Sequence, residues 1–300
     1  MSTDTAEAVL SKLELIVRRR LDGLLQGNHL GLIPGPGSEP GESRVYYPGD
    51  DVRRMDWPVT ARTTIPHVRE TIADRELESW AVIDLSPSLD FGTASCEKRD
   101  LAVAGLAAVV YLTQHGGNRV GAIVATGNGA TRIPARSGRA HSQALIRQVV
   151  RTPRADRGRR GDLAAALETL RRPPRRRGLA VVISDFLGER TWEGPLRALA
   201  GRHEVLAIEV LDPRELDIPD VGLLTVVDPE SGQQLDVQTS RRGLRERYAA
   251  AARAERQEIA AAIRRAGASH LILRTDGDWL LDILRFVAAR RRRASGGALR

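Results

Sequence analysis

Cysteine is nearly absent from this 300-residue chain: Cys96 is the only one. A lone thiol excludes an internal disulfide framework and a cysteine-rich zinc site. Lysine is almost as scarce, because Lys12 and Lys98 are the only two and 44 of the 46 basic residues are arginine. Aromatic residues make up 4% of the chain, and none interleaves with the arginine runs Arg18 to Arg20, Arg171 to Arg172, Arg175 to Arg177 and Arg290 to Arg293. A net charge of +8 invites a nucleic-acid reading, but a base-stacking platform needs those aromatics. The runs read instead as solvated helix ends that complement the helix dipole. The longest apolar run, Leu101 to Leu112, is too short to cross a bilayer and suits a helix buried against a sheet. The polar, acidic start from Ser2 to Glu7 lacks the pattern of a secretory signal, so a cytoplasmic protein without a membrane span is expected.

Other chemistries are excluded by spacing. The six histidines show no His-x-x-His or His-Glu-x-x-His pattern, which argues against a zinc hydrolase. Ser86 and Ser184 lack the Gly-x-Ser-x-Gly elbow of a serine hydrolase. The stretch GLIPGPGSEPG has no following Lys-Ser/Thr and no preceding strand, so it is not a phosphate-binding loop.

With 42% hydrophobic residues the chain has enough apolar material for a proper core. Val9, Leu13, Ile16, Val17, Leu21 and Leu24 recur at helical spacing, which predicts a helix over residues 1–26. Prolines and glycines break up residues 27–76, predicting a small β/turn-rich, non-helical subdomain. From residue 77 to 289, continuous apolar strands alternate with helices. That pattern predicts a doubly wound α/β domain with a mostly parallel sheet and helices on both faces. Residues 290–300 are expected to be a basic disordered tail.

Ligands bind such sheets in the crevice outside the carboxyl ends of the strands. Asp84 closes the apolar run WAVI, and Asp185 closes VVIS. In Asp84-Leu85-Ser86-Pro87-Ser88, one carboxylate and two hydroxyls two residues apart can turn toward one point as the chain leaves a strand. Those hard oxygen donors suit Mg²⁺, Ca²⁺ or Mn²⁺. The same residues also suit an ordinary turn or helix cap, so both readings stand at this point. Upstream, Asp50, Asp51 and Asp56 crowd Arg53, Arg54, Arg62, Arg69 and Arg75. A catalytic carboxylate pair there is the weaker reading, since Gly49-Asp50-Asp51 is turn chemistry and opposed charges can pair. Trp57 is expected to anchor the segment by packing.

An Asp-x-Ser-x-Ser loop after the first strand of the α/β domain, followed by a later strand ending in Ser-Asp, resembles a von Willebrand factor A domain. The upstream segment YYPGDDVRRMDWPVTARTTIPHVRE is similar to the signature of the domain of unknown function fifty-eight family. That resemblance implies a metal-ion-dependent adhesion site (MIDAS) carried by Asp84, Ser86, Ser88 and Asp185, holding Mg²⁺ or another hard divalent ion. Related sequences usually place a threonine where this chain has Gly161, which offers no side-chain oxygen. Asp162 or water is then the substitute donor. The resemblance further implies a docking or structural role for Gly49, Asp50, Asp51, Arg53, Asp56, Trp57, Arg62, Arg69 and Glu70. It also implies a non-enzymatic, chaperone-like interaction module. Its expected partner is a MoxR-type AAA+ ATPase, acting in assembly or maturation of a client complex. Two alternatives from other classes are a Mg²⁺-dependent phosphoester hydrolase or nuclease using Asp84 and Asp185, and a basic nucleic-acid-binding protein.

Overall fold

The computed structural model describes residues 43–47, 55–69, 78–113, 118–155, 158–159, 161–171 and 178–297. The helix expected over residues 1–26 lies outside the described residues, as do Gly49, Asp50, Asp51, Arg53 and Glu70.

Two short strands, β1 (Ser43–Val45) and β2 (His67–Arg69), pair antiparallel. Helix α1 (Trp57–Thr63) lies between them in sequence, which corrects the expectation of a non-helical segment. Asp56 caps this helix, its Oδ1 accepting from Val59 N at 3.3 Å, and Pro58 sits in the first turn. A proline there has a φ already suited to a helix and gives up a donor that would go unused. The residue read as a breaker is a starter. Asp56 is buried, whereas Trp57 is 66% exposed and does not anchor the segment by packing. Arg62 is also exposed.

The main domain is built on a six-stranded sheet of order β10-β7-β6-β3-β4-β5. Its parallel strands are β3 (Glu78–Asp84), β4 (Arg119–Thr126), β6 (Leu179–Ser184), β7 (Glu204–Leu211) and β10 (Ser269–Arg274). The edge strand β5 (Gly129–Arg136) runs antiparallel to β4. Because side chains alternate along a strand, Ala81 and Ile83 feed one core while Trp80 and Val82 feed the other. The first core is covered by α2 (Lys98–Thr113), α3 (Arg139–Val150) and α7 (Trp279–Gly297). The second is covered by α4 (Leu163–Arg171), α5 (Glu193–Ala200) and α6 (Arg242–Arg265). This is the expected α/β architecture, with helices on both faces.

Helix α2 is apolar all round, and every residue from Leu101 to Leu112 is buried. It runs under the middle of the sheet, so its first residue, Lys98, is delivered to the sheet's carboxyl end. Helix α7 corrects the expectation for the tail, because it continues through the arginine run to Gly297. Ala, Arg and Leu are strong helix formers, and Leu280, Ile283 and Val287 bury the helix's early turns. Residues 298–300 lie outside the described residues. Between β7 and α6 the chain inserts an antiparallel hairpin of β8 (Leu223–Val227) and β9 (Gln234–Gln238). Among the described residues no helix is long and apolar enough to cross a membrane.

Strand β3 has β4 on one side and β6 on the other, and the chain reaches those neighbours by connections that leave in opposite directions. The crevice at the carboxyl ends of β3 and β6 is therefore the sheet's switch point.

Candidate functional site

Asp84 and Ser184 are the last residues of adjacent parallel strands β3 and β6, so Asp84 and Asp185 emerge into one crevice. Asp84 Oδ1 accepts from Ser86 N at 2.9 Å, which turns the chain back over the strand end. Its Oδ2 accepts from Ser184 Oγ at 2.9 Å. The turn brings the hydroxyls of Ser86 and Ser88 to 3.1 Å from each other. Ser88 also hydrogen-bonds to the Asp185 carboxylate. The four residues expected from the sequence are thus brought together, and all four are buried.

The second loop is held in an unusual conformation. Phe186, just after Asp185, has φ 55°, in the left-handed region that side chains with a Cβ rarely adopt. Its ring is fully buried and meets Trp192 edge to face, with centroids 5.1 Å apart. Phe186 N donates to Ser184 Oγ at 3.1 Å and Leu187 N donates to Asp185 Oδ1 at 3.1 Å. Aromatic packing and two local hydrogen bonds offset the backbone strain, and the Asp185 carboxylate is aimed as a result.

Gly161 stands at the site, in the place the resemblance gives to a threonine. A Cβ on Gly161 would lie 2.5 Å from Ser86 Cβ, 3.1 Å from Ser86 Oγ and 3.4 Å from Asp84 Oδ1. The backbone has closed in where a side chain would be, so no oxygen ligand fits there unless the loop moves. Asp162 is exposed at the rim, and its Oδ1 caps α4 by accepting from Ala165 N at 2.8 Å. One of its carboxylate oxygens is already committed.

Charged residues that sequence reasoning missed complete the site. Lys98 is 1% exposed, and its Nζ donates to Asp185 Oδ2 at 2.8 Å and to Glu215 Oε1. Arg256 of α6 reaches in from the other side, donating to the Asp185 carbonyl at 3.0 Å, to Glu209 Oε1 at 3.0 Å and to Glu215 Oε2 at 2.9 Å. Glu209 Oε2 lies 2.7 Å from His270 Nε2, which extends the ion-pair chain to the edge strand β10. Composition carried a signal for Lys98: a lysine kept in a chain that uses arginine almost everywhere else marks a place where arginine does not serve. The compact ammonium donates to two carboxylates from a single point, whereas arginine presents its donors in a fixed planar fork. Nothing in the local sequence singles out Glu209, Glu215 or Arg256, which come together only through the fold.

These partners divide the two aspartates electrostatically. Burial pushes both carboxyls upward. At Asp185 the Lys98 ammonium and its hydrogen bond outweigh burial and hold the carboxyl below its usual range. At Asp84 burial, with the Asp185 charge adding to it, outweighs the hydrogen bonds and pushes the carboxyl up to about 6. Among the described residues Asp84 makes no ion pair. A buried carboxylate without a counter-charge beside two buried hydroxyls and a second carboxylate is a donor set that a hard divalent cation fits. The site opens into a cleft of about 1400 Å³. Its charged lining is mostly acidic, with Asp84, Asp162, Asp185, Glu189, Glu215 and Glu255 set against Lys98 and Arg256. An acidic cleft on a net basic chain concentrates cations. The hairpin contributes Val226 and Val227 to its wall.

Comparison with known proteins places this chain among close relatives. The "Uncharacterized protein Rv1480" of Mycobacterium tuberculosis (strain ATCC 25618 / H37Rv) is 61% identical over 292 residues, 97% of this chain and 91% of that protein. The "Uncharacterized protein MAV169" of Mycobacterium avium is 55% identical over 167 residues, covering 56% of this chain and 98% of that protein. Two solved structures share a remote likeness. An aerotolerance-related membrane protein from Bacteroides fragilis NCTC 9343, with multiple mutations to serines, is 15% identical and covers 71% of this chain and 99% of that chain at a TM-score of 0.44. The SpRpn10 VWA domain is 11% identical and covers 69% of this chain and 93% of that chain at a TM-score of 0.37. The profile of the family described as "Protein of unknown function DUF58" matches residues 42–258, and this chain belongs to that family.

Proposed function

We propose that this protein is a non-enzymatic interaction module that docks a partner at the β3/β6 crevice with the help of a divalent cation, Mg²⁺ by preference. The observation that carries the reading is Asp84: a buried carboxylate with no cationic partner among the described residues, placed against Ser86, Ser88 and Asp185 at the sheet's switch point. The donors for the ion are the hydroxyls of Ser86 and Ser88 and the carboxylates of Asp84 and Asp185, with water completing the set from the cleft, since Gly161 leaves no room for a further donor on its side. A bound divalent cation supplies a positive centre to which a partner's Asp or Glu can bind. The residues of this chain do the rest. Lys98 and Arg256 hold the Asp185 loop, and the acidic rim repels a partner carboxylate until a cation reverses the local potential. Docking thereby becomes conditional on the ion.

The partner of this reading is a MoxR-type AAA+ ATPase, and the process is assembly or maturation of a client complex in the cytoplasm. Asp56, Trp57, Arg62 and Arg69 belong to the segment proposed as a second contact for that ATPase. The exposed indole of Trp57 fits a docking role better than a packing role. A hydrolytic reading gains little from the side chains, because two-metal chemistry needs a richer set of carboxylates. Among the described residues no group of three or more His, Cys, Asp or Glu is placed to hold a metal.

The experiment is size-exclusion chromatography of the protein mixed with the cognate MoxR-type ATPase, with Mg²⁺ or with EDTA. Co-elution in Mg²⁺ that is lost in EDTA is the expected result. Separate elution under both conditions would remove the partner from the reading.

A further inference from the structure

Lys98 sits in the cation's own neighbourhood, yet it is itself a cation. Its ammonium bonds Asp185 Oδ2 at 2.8 Å and Glu215 Oε1, with 1% of the side chain exposed. Asp185 is one of the proposed ion donors, whereas Glu215 is not. Glu215 faces the other way, bonding Arg256 at 2.9 Å and accepting from Asp212 N at 3.1 Å. Lys98 is thus shared between a carboxylate of the site and a carboxylate of the framework.

We infer that Lys98 is a resident cation set against the divalent ion. It already holds Asp185 in an ion pair and so determines how tightly that ion binds. The inference rests on the cation reading of the preceding subsection and adds to it the residue that sets affinity. Two positive centres that draw on one carboxylate repel each other, and in a buried crevice that repulsion is weakly screened. The ion then takes full hold of Asp84, Ser86 and Ser88 but only a share of Asp185. The site is accordingly a weak one that fills when a partner's carboxylate adds its own negative charge. Glu215 keeps the arrangement reversible, because an ammonium with a second carboxylate at hand can release the first without being stranded in a buried space.

Binding of Mn²⁺ alone, followed by the loss of its free-ion electron paramagnetic resonance signal, tests this on the whole chain. The proteins compared are the wild type, Lys98→Met, the double variant Lys98→Met/Glu215→Gln, and Asp84→Ala. Thermal melts followed by circular dichroism accompany each titration. The double variant removes one positive and one negative charge, so long-range electrostatics alone leaves its affinity unchanged. It also keeps a side chain at 215 able to accept from Asp212 N and Arg256, so of the two carboxylates that Lys98→Met leaves without their ammonium only Asp185 remains charged, and the melts establish that the titrated protein is folded. The expected result is Mn²⁺ binding at least tenfold tighter in the double variant than in the wild type, with Asp84→Ala abolishing it. Equal or weaker binding in the double variant, with Asp84→Ala still abolishing binding, overturns the role of Lys98 and leaves the cation site standing. Absence of Mn²⁺ binding in every variant overturns both.

Discussion

Lys98 Nζ and Asp185 Oδ2 lie 2.8 Å apart, with 1% and 3% of the two side chains exposed. Two charges this deeply desolvated are held by one another and by their further hydrogen bonds, and removing Lys98 strands Asp185, whereas Lys98 without Asp185 keeps Glu215. Burial works against the Lys98 ammonium, but Asp185 and Glu215 outweigh it and raise its proton affinity. Lys98→Met, which leaves buried Asp185 without its cation, is therefore expected to lower unfolding free energy by about 3–5 kcal/mol in urea titration, the range for breaking a buried pair. A loss under about 1 kcal/mol, as at exposed pairs, would show that water reaches the pair.

Asp212 provides the pH dependence. It is fully buried at the end of β7 and accepts from Thr93 N at 2.8 Å, Thr93 Oγ1 at 2.6 Å, Arg214 N at 2.9 Å and Thr275 Oγ1 at 2.8 Å. Burial pushes its carboxyl up, but these bonds outweigh burial and hold it below the ordinary aspartate value. A carboxyl depressed in the folded state contributes stability above its unfolded pKa and loses it as pH falls through the folded one. Asp212→Asn is expected to cost about 2–4 kcal/mol at pH 7, with the gap to wild type closing below about pH 4. A gap that stays constant down to pH 2 would contradict this.

Trp80 of β3 lies opposite Gly121 of β4, and a Cβ on Gly121 would come within 2.7 Å of the indole ring and 2.9 Å of Ala135 N. The ring cannot retreat, because the Arg132 guanidinium stacks 4.5 Å from its centroid and the side chain is buried. Gly121→Ala is expected to destabilise the protein by about 1–3 kcal/mol, the usual cost of overpacking. An unchanged melting temperature would show that the strands can part.

Gly161→Thr introduces the residue type that the von Willebrand A resemblance implies at this position, yet it is expected to weaken ion binding. Its Cβ meets Ser86 Cβ at 2.5 Å, so the new side chain pushes the Ser86 hydroxyl out of place. Tighter Mn²⁺ binding by Gly161→Thr than by wild type would show that the loop yields without cost.

Much of this site can be read from the chain before the fold is known. Asp84 and Asp185 each end a continuous apolar run, and a parallel sheet must bring such ends to one edge. The Asp-x-Ser-x-Ser spacing then places three donors in one turn. Helix α1 was hidden because Pro58 was weighed as a breaker, and its position next to a capping Asp56 turns it into a starter. The continuation of α7 was hidden because an arginine run resembles a solvated tail, while arginine propagates a helix already nucleated by buried Leu280, Ile283 and Val287. The ion-pair chain from Asp185 through Lys98, Glu215 and Arg256 to Glu209 joins four separate elements. No local pattern encodes which of many arginines and glutamates will meet.

The most direct test of cation-dependent docking is the affinity of the MoxR-type ATPase for wild-type protein and for Asp84→Ala, measured by isothermal titration calorimetry in Mg²⁺ and in EDTA. Wild-type affinity at least tenfold weaker in EDTA than in Mg²⁺, and an Asp84→Ala affinity equally weak in both, is the predicted result. Tight binding by both proteins, unchanged by the chelator, would contradict it.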